Sequence, residues 1–314
     1  MTTVDVPPPV EVARAASTPP TSRGRSASSR ERRTAWLMVA PAGLHALYWI
    51  ALPVLATFVL SATNYSVLAP LRFVGLGNYV KSFEDPIFRI SIWHTVVYTF
   101  FTVPVSMALA VFLAVLLNQQ IRARAWYRAA IFLPQVTATV AVATVWYQIY
   151  DPYSGLANKL LGFLGITGPT WIFDPSYALP AVIVMGIWQG IGIKMIIYLA
   201  ALQSIPEEFY EAAELDGANA WQRFRKITLP MLRPATLFVG VVSIISAFQA
   251  FDQIYVLTRG GPAHATTMMT YEVYRNAFET FQMGLACAKS VVLFVFLFGL
   301  TLLNRALTGG DDDD

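Results

Sequence analysis

Six long apolar runs divide this chain, at roughly 36–62, 92–117, 127–150, 177–202, 235–258 and 283–303. A bilayer core about 30 Å thick is crossed by about 20 residues of helix, and every run meets that length. The pattern predicts an all-α membrane protein with six transmembrane helices. Buried helices of a large soluble protein explain it poorly, because the six runs carry almost no charge. Pro41, Pro53, Pro104 and Pro134 fall inside runs and predict kinks whose freed carbonyls neighbouring helices must satisfy. Between runs, the loops 64–91, 151–176 and 259–282 have room for short helices, with turn signals GLGN at 75–78 and RGGP at 259–262.

The segment between the fourth and fifth runs breaks the pattern. Residues 211–230 read EAAELDGANAWQRFRKITLP, with Glu207, Glu208, Glu211, Glu214 and Asp216 ahead of Gly217 and Arg223, Arg225, Lys226 and Arg233 behind it. Ser204 with Glu207 has the spacing of a capping box, Pro206 suits a first turn, and Gly217 supplies a stop, so a helix is expected over Ile205 to Asp216. One face would carry Glu207, Glu211 and Glu214, the other Ile205, Phe209, Ala212 and Ala213. A second helix is expected from Asn219, back-capped by Gln222 and ended by Pro230, with Trp221 and Phe224 three apart. A merely solvated loop accounts for the acids but leaves Phe209, Trp221 and Phe224 exposed. A docking surface for a separate protein accounts for all of them.

Composition strengthens the membrane reading. Of 314 residues, 56% are hydrophobic and 13% charged, about half the charge usual in soluble domains. The net charge of +3 reports topology rather than a nucleic-acid partner. With the N-terminus cytoplasmic, alternate loops divide Lys and Arg fourteen to six, and the positive-inside rule then places both termini and the 203–234 loop in the cytoplasm. Six arginines among Pro, Ser and Ala mark residues 1–35 as a disordered cytoplasmic tail. The membrane domain is expected over 36–305, and a short cytoplasmic tail over 306–314. Cys287 stands alone, so the chain forms neither a disulfide framework nor a thiolate metal site by itself.

The inventory argues against an enzyme. His45, His94 and His264 lack metal-ligand spacing, and no HExxH, GxSxG or P-loop pattern is present. The chain therefore binds no ATP through a P-loop of its own. Polar residues inside membrane helices are costly and mark candidate pathways, with helix packing as the alternative. Trp188, Gln189 and Lys194 in the fourth run and Ser246, Gln249 and Asp252 in the fifth are the candidates, offering an aromatic face with amide, hydroxyl and charged groups. Lys289, in the last run, has no assigned role.

Glu211-Ala212-Ala213, then Asp216-Gly217-Ala218, then Ile227-x-Leu229-Pro230 resemble the EAA loop of ABC importer permeases. FVGLGNY at 73–79, Trp146 with Asp151-Pro152 and Gly155-Leu156-Ala157-Asn158, and FDQIYVLTRGGPAHAT at 251–266 are similar to the carbohydrate-type subfamily, over about residues 36 to 305. The resemblance implies a coupling helix that sits in a cleft of a separate ATPase, with Glu207, Phe209, Glu211, Ala212, Ala213, Asp216, Gly217, Ala218, Trp221 and Phe224 as coupling residues. It also implies a second permease subunit, two ATPase domains holding ATP and magnesium, and an extracytoplasmic solute-binding protein. The chain itself would bind no cofactor, and its surroundings would be membrane lipid. The alternative is an ion-coupled secondary transporter acting without an ATPase. That reading calls for an internal repeat and membrane carboxylates, and the sequence offers no repeat and only Asp252 as an internal acid.

Overall fold

The computed structural model describes residues 29–66, 70–119 and 122–308. The chain falls into two compact units, Met1–Pro53 and Val54–Asp314. The first contains α1 (Ser29–Ala46) and a π turn over Leu47–Ala51 that leads into α2 (Leu52–Ser61). Its helix starts ahead of Trp36, where the apolar run begins, and the rest of the expected tail lies outside the described residues. Trp36, Leu37, Tyr48 and Trp49 are all exposed, as suits a helix surrounded by lipid.

The second unit continues through α2 and contains α3 (Gly77–Glu84), α4 (Pro86–Asn118), α5 (Arg124–Val136), α6 (Thr139–Ile149), α7 (Leu156–Phe163) and α8 (Pro175–Gln203). It closes with α9 (Glu208–Leu215), α10 (Ala220–Arg223), α11 (Leu229–Met231), α12 (Arg233–Phe248), α13 (Asp252–Leu257), α14 (Met269–Tyr274) and α15 (Met283–Thr308). An isolated β bridge joins Thr63 to Phe73.

Five helices are long and apolar enough to cross a membrane, and α5 and α6, which meet at 99°, reach that length only as a bent pair. The kink expected at Pro134 in the third run is a break between two helices. Pro134 cannot donate to the helix, and Thr137 and Ala138 take extended ψ values of 138° and 128° between the two halves. Elsewhere prolines are absorbed differently. The π turn of α1–α2 lies just before Pro53, and a second one, Phe224–Thr228, just before Pro230, so the wider turn accommodates the missing N–H. Pro230 therefore does not end the helix as expected; helical geometry runs on through Met231.

α4 and α8 form the central pair, in parallel. Tyr98 faces Gly186 and Ser106 faces Lys194, both pairs separated by 88 residues. α12 runs antiparallel to α4, with Gly240 by Met107 and Gln253, just beyond α12, by Tyr98. Small side chains permit this closeness. Ser91, Thr95, Thr99, Thr102, Ser106, Ala110 and Ala114 form the buried stripe of α4, and several of the hydroxyls donate to carbonyls one turn back along their own helix. Where α8 meets α5, a Cβ on Gly192 would fall 2.6 Å from the Ile131 carbonyl oxygen, so only glycine fits there. Two apolar clusters fill the interior, one around Tyr98, Met185, Ala250 and Ile254, the other around Leu117, Tyr198, Leu202 and Leu232.

The expected loop helices are present as α3, α7 and α14. Asn78, in the FVGLGNY stretch, is buried and donates to the Ser61 and Thr63 carbonyls at 2.9 and 2.7 Å, pinning α3 to the end of α2. Asn158 accepts from Trp171 Nε1 at 2.6 Å and donates to the Pro152 and Pro169 carbonyls, closing the loop around α7.

Candidate functional site

Two features stand out, one between the long helices and one in the loop from α8 to α12. The first is a cavity of about 340 Å³. α4 contributes Tyr98, Thr102 and Val103, and the α5–α6 bend contributes Gln135 and Thr139. α8 adds Gln189, Gly190 and Lys194, α12 adds Ser243 and Ser246, and the turn into α13 adds Gln249, Asp252 and Gln253. Its position follows from the packing, because the bend removes a length of helix from the wall and glycines 186 and 190 leave α8 without bulk there. The volume lies within the range of small-molecule sites.

Five of the six pathway candidates line this space: Gln189, Lys194, Ser246, Gln249 and Asp252. Trp188 does not. It packs edge-on against Trp146 with ring centroids 5.5 Å apart. Gln189 Nε2 donates to Thr139 Oγ1 at 3.1 Å and so ties α8 to the bend. Gln253 Nε2 donates to the Tyr98 hydroxyl at 3.1 Å. Lys194 Nζ donates to Ser106 Oγ at 2.6 Å, with Lys194 only 8% exposed and Ser106 fully buried. Ser246, Gln249 and Asp252 are exposed on the cavity's open side.

Tyr98, Thr102 and Gln135 also line the cavity, and sequence reasoning missed them as site residues. Only the Ser/Thr periodicity of α4 hinted that its polar stripe faces other helices rather than lipid.

The loop between α8 and α12 is the second feature. The expected box of Ser204 and Glu207 does not form: Ser204 Oγ donates back to the Ala201 carbonyl at 2.8 Å, Glu207 makes no side-chain cap, and α9 starts at Glu208. Ser204 is the C-cap of α8, so its hydroxyl is taken up by the preceding helix. The second box forms as expected, with Gln222 N donating to Asn219 Oδ1 at 2.9 Å and Asn219 N to Gln222 Oε1 at 2.8 Å.

α9 ends in a Schellman motif. Ala218 N donates to the Ala213 carbonyl and Gly217 N to the Glu214 carbonyl, while Gly217 has φ +77°. Arg223 spans this turn to Glu214 Oε1 at 2.6 Å. Glu207, Phe209, Glu211, Ala212, Asp216, Gly217 and Trp221 are exposed. Ala213 and Ala218 are half-buried, so the two alanines of the pair do not share one face. Phe224 stacks on Trp221 at 5.6 Å and turns inward beside Tyr210 and Thr228, whose hydroxyls are 2.9 Å apart. Leu215, which sequence reasoning passed over, is 91% exposed. A bare leucine beside an acidic face is costly in water and suits a covered surface.

Helices long and apolar enough to cross a membrane, a polar cavity between α4, α8 and α12, and an ordered amphipathic loop joining α8 to α12 are the build of a transport permease. The family described as binding-protein-dependent transport system inner membrane component matches residues 91–309, and the chain belongs to that family. It is 38% identical to a probable ABC transporter permease protein of Pyrococcus horikoshii, covering 87% of this chain and 95% of the relative. Against the trehalose/maltose transport system permease protein MalF of Thermococcus litoralis the identity is 34%, covering 87% and 93%. Against the lactose transport system permease protein LacF of Rhizobium radiobacter it is 35%, covering 83% and 89%. One chain of a solved bacterial alginate ABC transporter, in complex with an alginate pentasaccharide-bound periplasmic protein, superposes with TM-score 0.80 at 22% identity, covering 89% of this chain and 95% of that one. That likeness establishes the shared fold. The relatives are permease subunits of transporters rather than enzymes, and this chain is likewise a multi-pass membrane component.

Proposed function

We propose that the chain is the permease subunit of an ABC importer that moves a sugar or related polyol compound into the cytoplasm, driven by a separate ATPase docked on the loop that carries Glu211 and Gly217. The observation that carries this reading is the cavity, in which Gln189, Gln249, Gln253, Ser243 and Ser246 offer amide and hydroxyl partners for a polyhydroxylated solute. The names of the trehalose/maltose and lactose relatives support the solute class, as does that of an sn-glycerol-3-phosphate permease of Pectobacterium atrosepticum at 34% identity.

Coupling follows from the loop's construction. Phe209, Leu215 and Trp221 present apolar area, and Glu207, Glu211 and Asp216 present negative charge to basic groups on the ATPase. The Schellman turn and the Asn219–Gln222 box make the loop stiff enough to transmit displacement, and α12 follows directly after α11. ATP and magnesium belong to the ATPase in this reading. Closing of the ATP-bound dimer draws the loops together and turns the cavity from inward-facing to outward-facing, and hydrolysis resets it. A second permease subunit covers the cavity's open side, an extracytoplasmic binding protein delivers solute, and both termini lie in the cytoplasm with the loop.

The test is uptake into sealed vesicles carrying the complete assembly. Uptake should require ATP and the ATPase and should vanish in Glu211→Lys although the variant inserts normally. Uptake driven by an ion gradient in vesicles lacking any ATPase would support the secondary transporter and reject this assignment.

A further inference from the structure

We infer that Lys194 is an anion-recognising side chain of the cavity, and that the transported compound carries a carboxylate or phosphate group. The inference rests on the reading of the chain as a carbohydrate permease and narrows its solute class.

The chain has two lysines inside its membrane helices, and they are treated differently. Lys289 is fully buried and contacts two carboxylates, Asp85 Oδ2 and Glu272 Oε1, each at 2.8 Å. Lys194 is nearly as buried, yet among the described residues it enters no ion pair and its one hydrogen bond goes to the neutral hydroxyl of Ser106. A membrane-embedded ammonium is costly without a counter-charge. Ser106 does not supply one, because its hydroxyl donates to the Thr102 carbonyl at 2.6 Å and only its lone pair meets the lysine. An ammonium has three donors, so two remain for another acceptor.

The position of Nζ shows where that acceptor lies. The side chain runs back along α8 over Gly190, where an added Cβ would stand 3.0 Å from Nζ. Gly190 and Lys194 both line the cavity, so glycine leaves the ammonium open to it. Asp252, the cavity's one carboxylate, does not neutralise the lysine. It forms no ion pair with Lys194: it adjoins Gln253, which bonds Tyr98 at the level of Gly186, whereas Nζ lies over Gly190, four residues of helix or about 6 Å further on. Lys194 and Ser106 sit between the two apolar clusters, so the cation marks a polar station partway along the helices. A solute that offers hydroxyls to the glutamines and an anion to Lys194 would satisfy the whole lining. One flexible cation gives grip without the bidentate hold that would retard release.

The test measures solute-stimulated ATPase activity of the complete transporter with its binding protein. One pool holds glucuronate, galacturonate, glucose 6-phosphate and glycerol 3-phosphate; the other holds glucose, galactose, maltose and glycerol. The binding protein is common to all variants, so a changed preference between pools reports on the permease. We expect wild type to favour the anionic pool, Lys194→Gln to lower that preference about tenfold, the scale of one charge-assisted hydrogen bond, and Lys194→Arg to retain most of it. Ser106→Ala should keep the preference, since it removes the neutral partner and leaves the charge. Stimulation by the neutral pool alone, equal in wild type and Lys194→Gln, would overturn the inference while leaving the sugar permease intact. Loss of preference in Ser106→Ala as large as in Lys194→Gln would reassign the pair to helix packing. Stimulation by neither pool would overturn the carbohydrate reading itself and this inference with it.

Discussion

Lys289 Nζ lies 2.8 Å from Glu272 Oε1, and both side chains are fully buried. The same ammonium reaches Asp85 Oδ2 at 2.8 Å, and Arg275 forks onto Glu272 through Nε and a terminal nitrogen, each at 2.9 Å. Asn276 Nδ2 adds a fourth donor to the Glu272 side chain at 2.7 Å. Two cations face two carboxylates, so the group is neutral as a whole, and it joins the start of α4, the α14 region and α15. Removing one member leaves an uncompensated buried charge. Lys289→Met should therefore destabilise the protein by about 3–5 kcal/mol, whereas adding Glu272→Gln to that variant should recover part of the loss. Thermal unfolding of the detergent-solubilised protein reads both, and a double variant less stable than the single one would contradict the pairing.

Asp85 makes the same group sensitive to acid. It precedes α4 as its N-cap, accepting from Ile87 N at 2.9 Å. Burial pushes its carboxyl up, but the hydrogen bond and charge of Lys289 outweigh that effect and hold it below the ordinary value of 3.8. A carboxyl depressed by folding contributes stability that is fully present above the unfolded pKa and is lost as pH falls through the folded one. The stability difference between wild type and Asp85→Asn should thus be steady from neutral pH down to about pH 5 and shrink below about pH 4. Melting curves across that range check the prediction, and a difference that grows on acidification would refute it.

Much of this architecture was readable from the residues, and the exceptions share a physical cause. Apolar runs of membrane length gave the crossings because lipid demands them whatever the packing. The Asn219–Gln222 box was legible because both of its bonds are local. Ser204–Glu207 has a similar pattern and failed because Ser204 was already closing α8. Pro134 marked a disturbance in the third run, but a 99° bend depends on what α8 offers across the gap, namely Gly192 and Gln189. The Ser/Thr stripe of α4 marks the side that faces other helices but not which positions open on a cavity, so Tyr98, Thr102 and Gln135 stayed hidden. Lys289 was visible as an anomaly, but its carboxylates lie 17 and 204 residues away in sequence.

The crossing of α8 and α5 yields a packing prediction. At Gly192 an added Cβ would fall 2.6 Å from the Ile131 carbonyl oxygen and 3.0 Å from the Phe132 Cα. Both are backbone atoms and cannot swing aside as a side chain could. Gly192→Val should force the helices apart at a cost of about 1–3 kcal/mol and displace the bend that lines the cavity. A lower melting temperature with reduced transport is expected. Gly299, whose added Cβ meets nothing within 4 Å, provides the comparison, and Gly299→Ala should be silent. Equal melting temperatures for Gly192→Val and wild type would show that the crossing is looser than this geometry requires.

The loop separates two causes of failure that a single variant would confuse. Gly217 has φ +77° but no atom within 4 Å of an added Cβ, so substitution there strains the backbone without a clash. The strain, about 1–2 kcal/mol, is confined to the turn, and membrane insertion should be untouched. Gly217→Val should nevertheless abolish uptake by reorienting α9 against α10, because a β-branched residue is strained in the left-handed region, while Gly217→Asn, whose side chain tolerates that region, should keep part of it. Leu215→Asp addresses the surface alone. At 91% exposure the leucine contributes little to the isolated chain, so its melting temperature should not move, yet ATP-dependent uptake should fall by an order of magnitude or more because a desolvated charge replaces apolar area at the proposed docking face. Co-purification of the ATPase subunit distinguishes the two outcomes. Leu215→Asp should lose the subunit, whereas normal retention together with normal uptake would remove Leu215 from the interface.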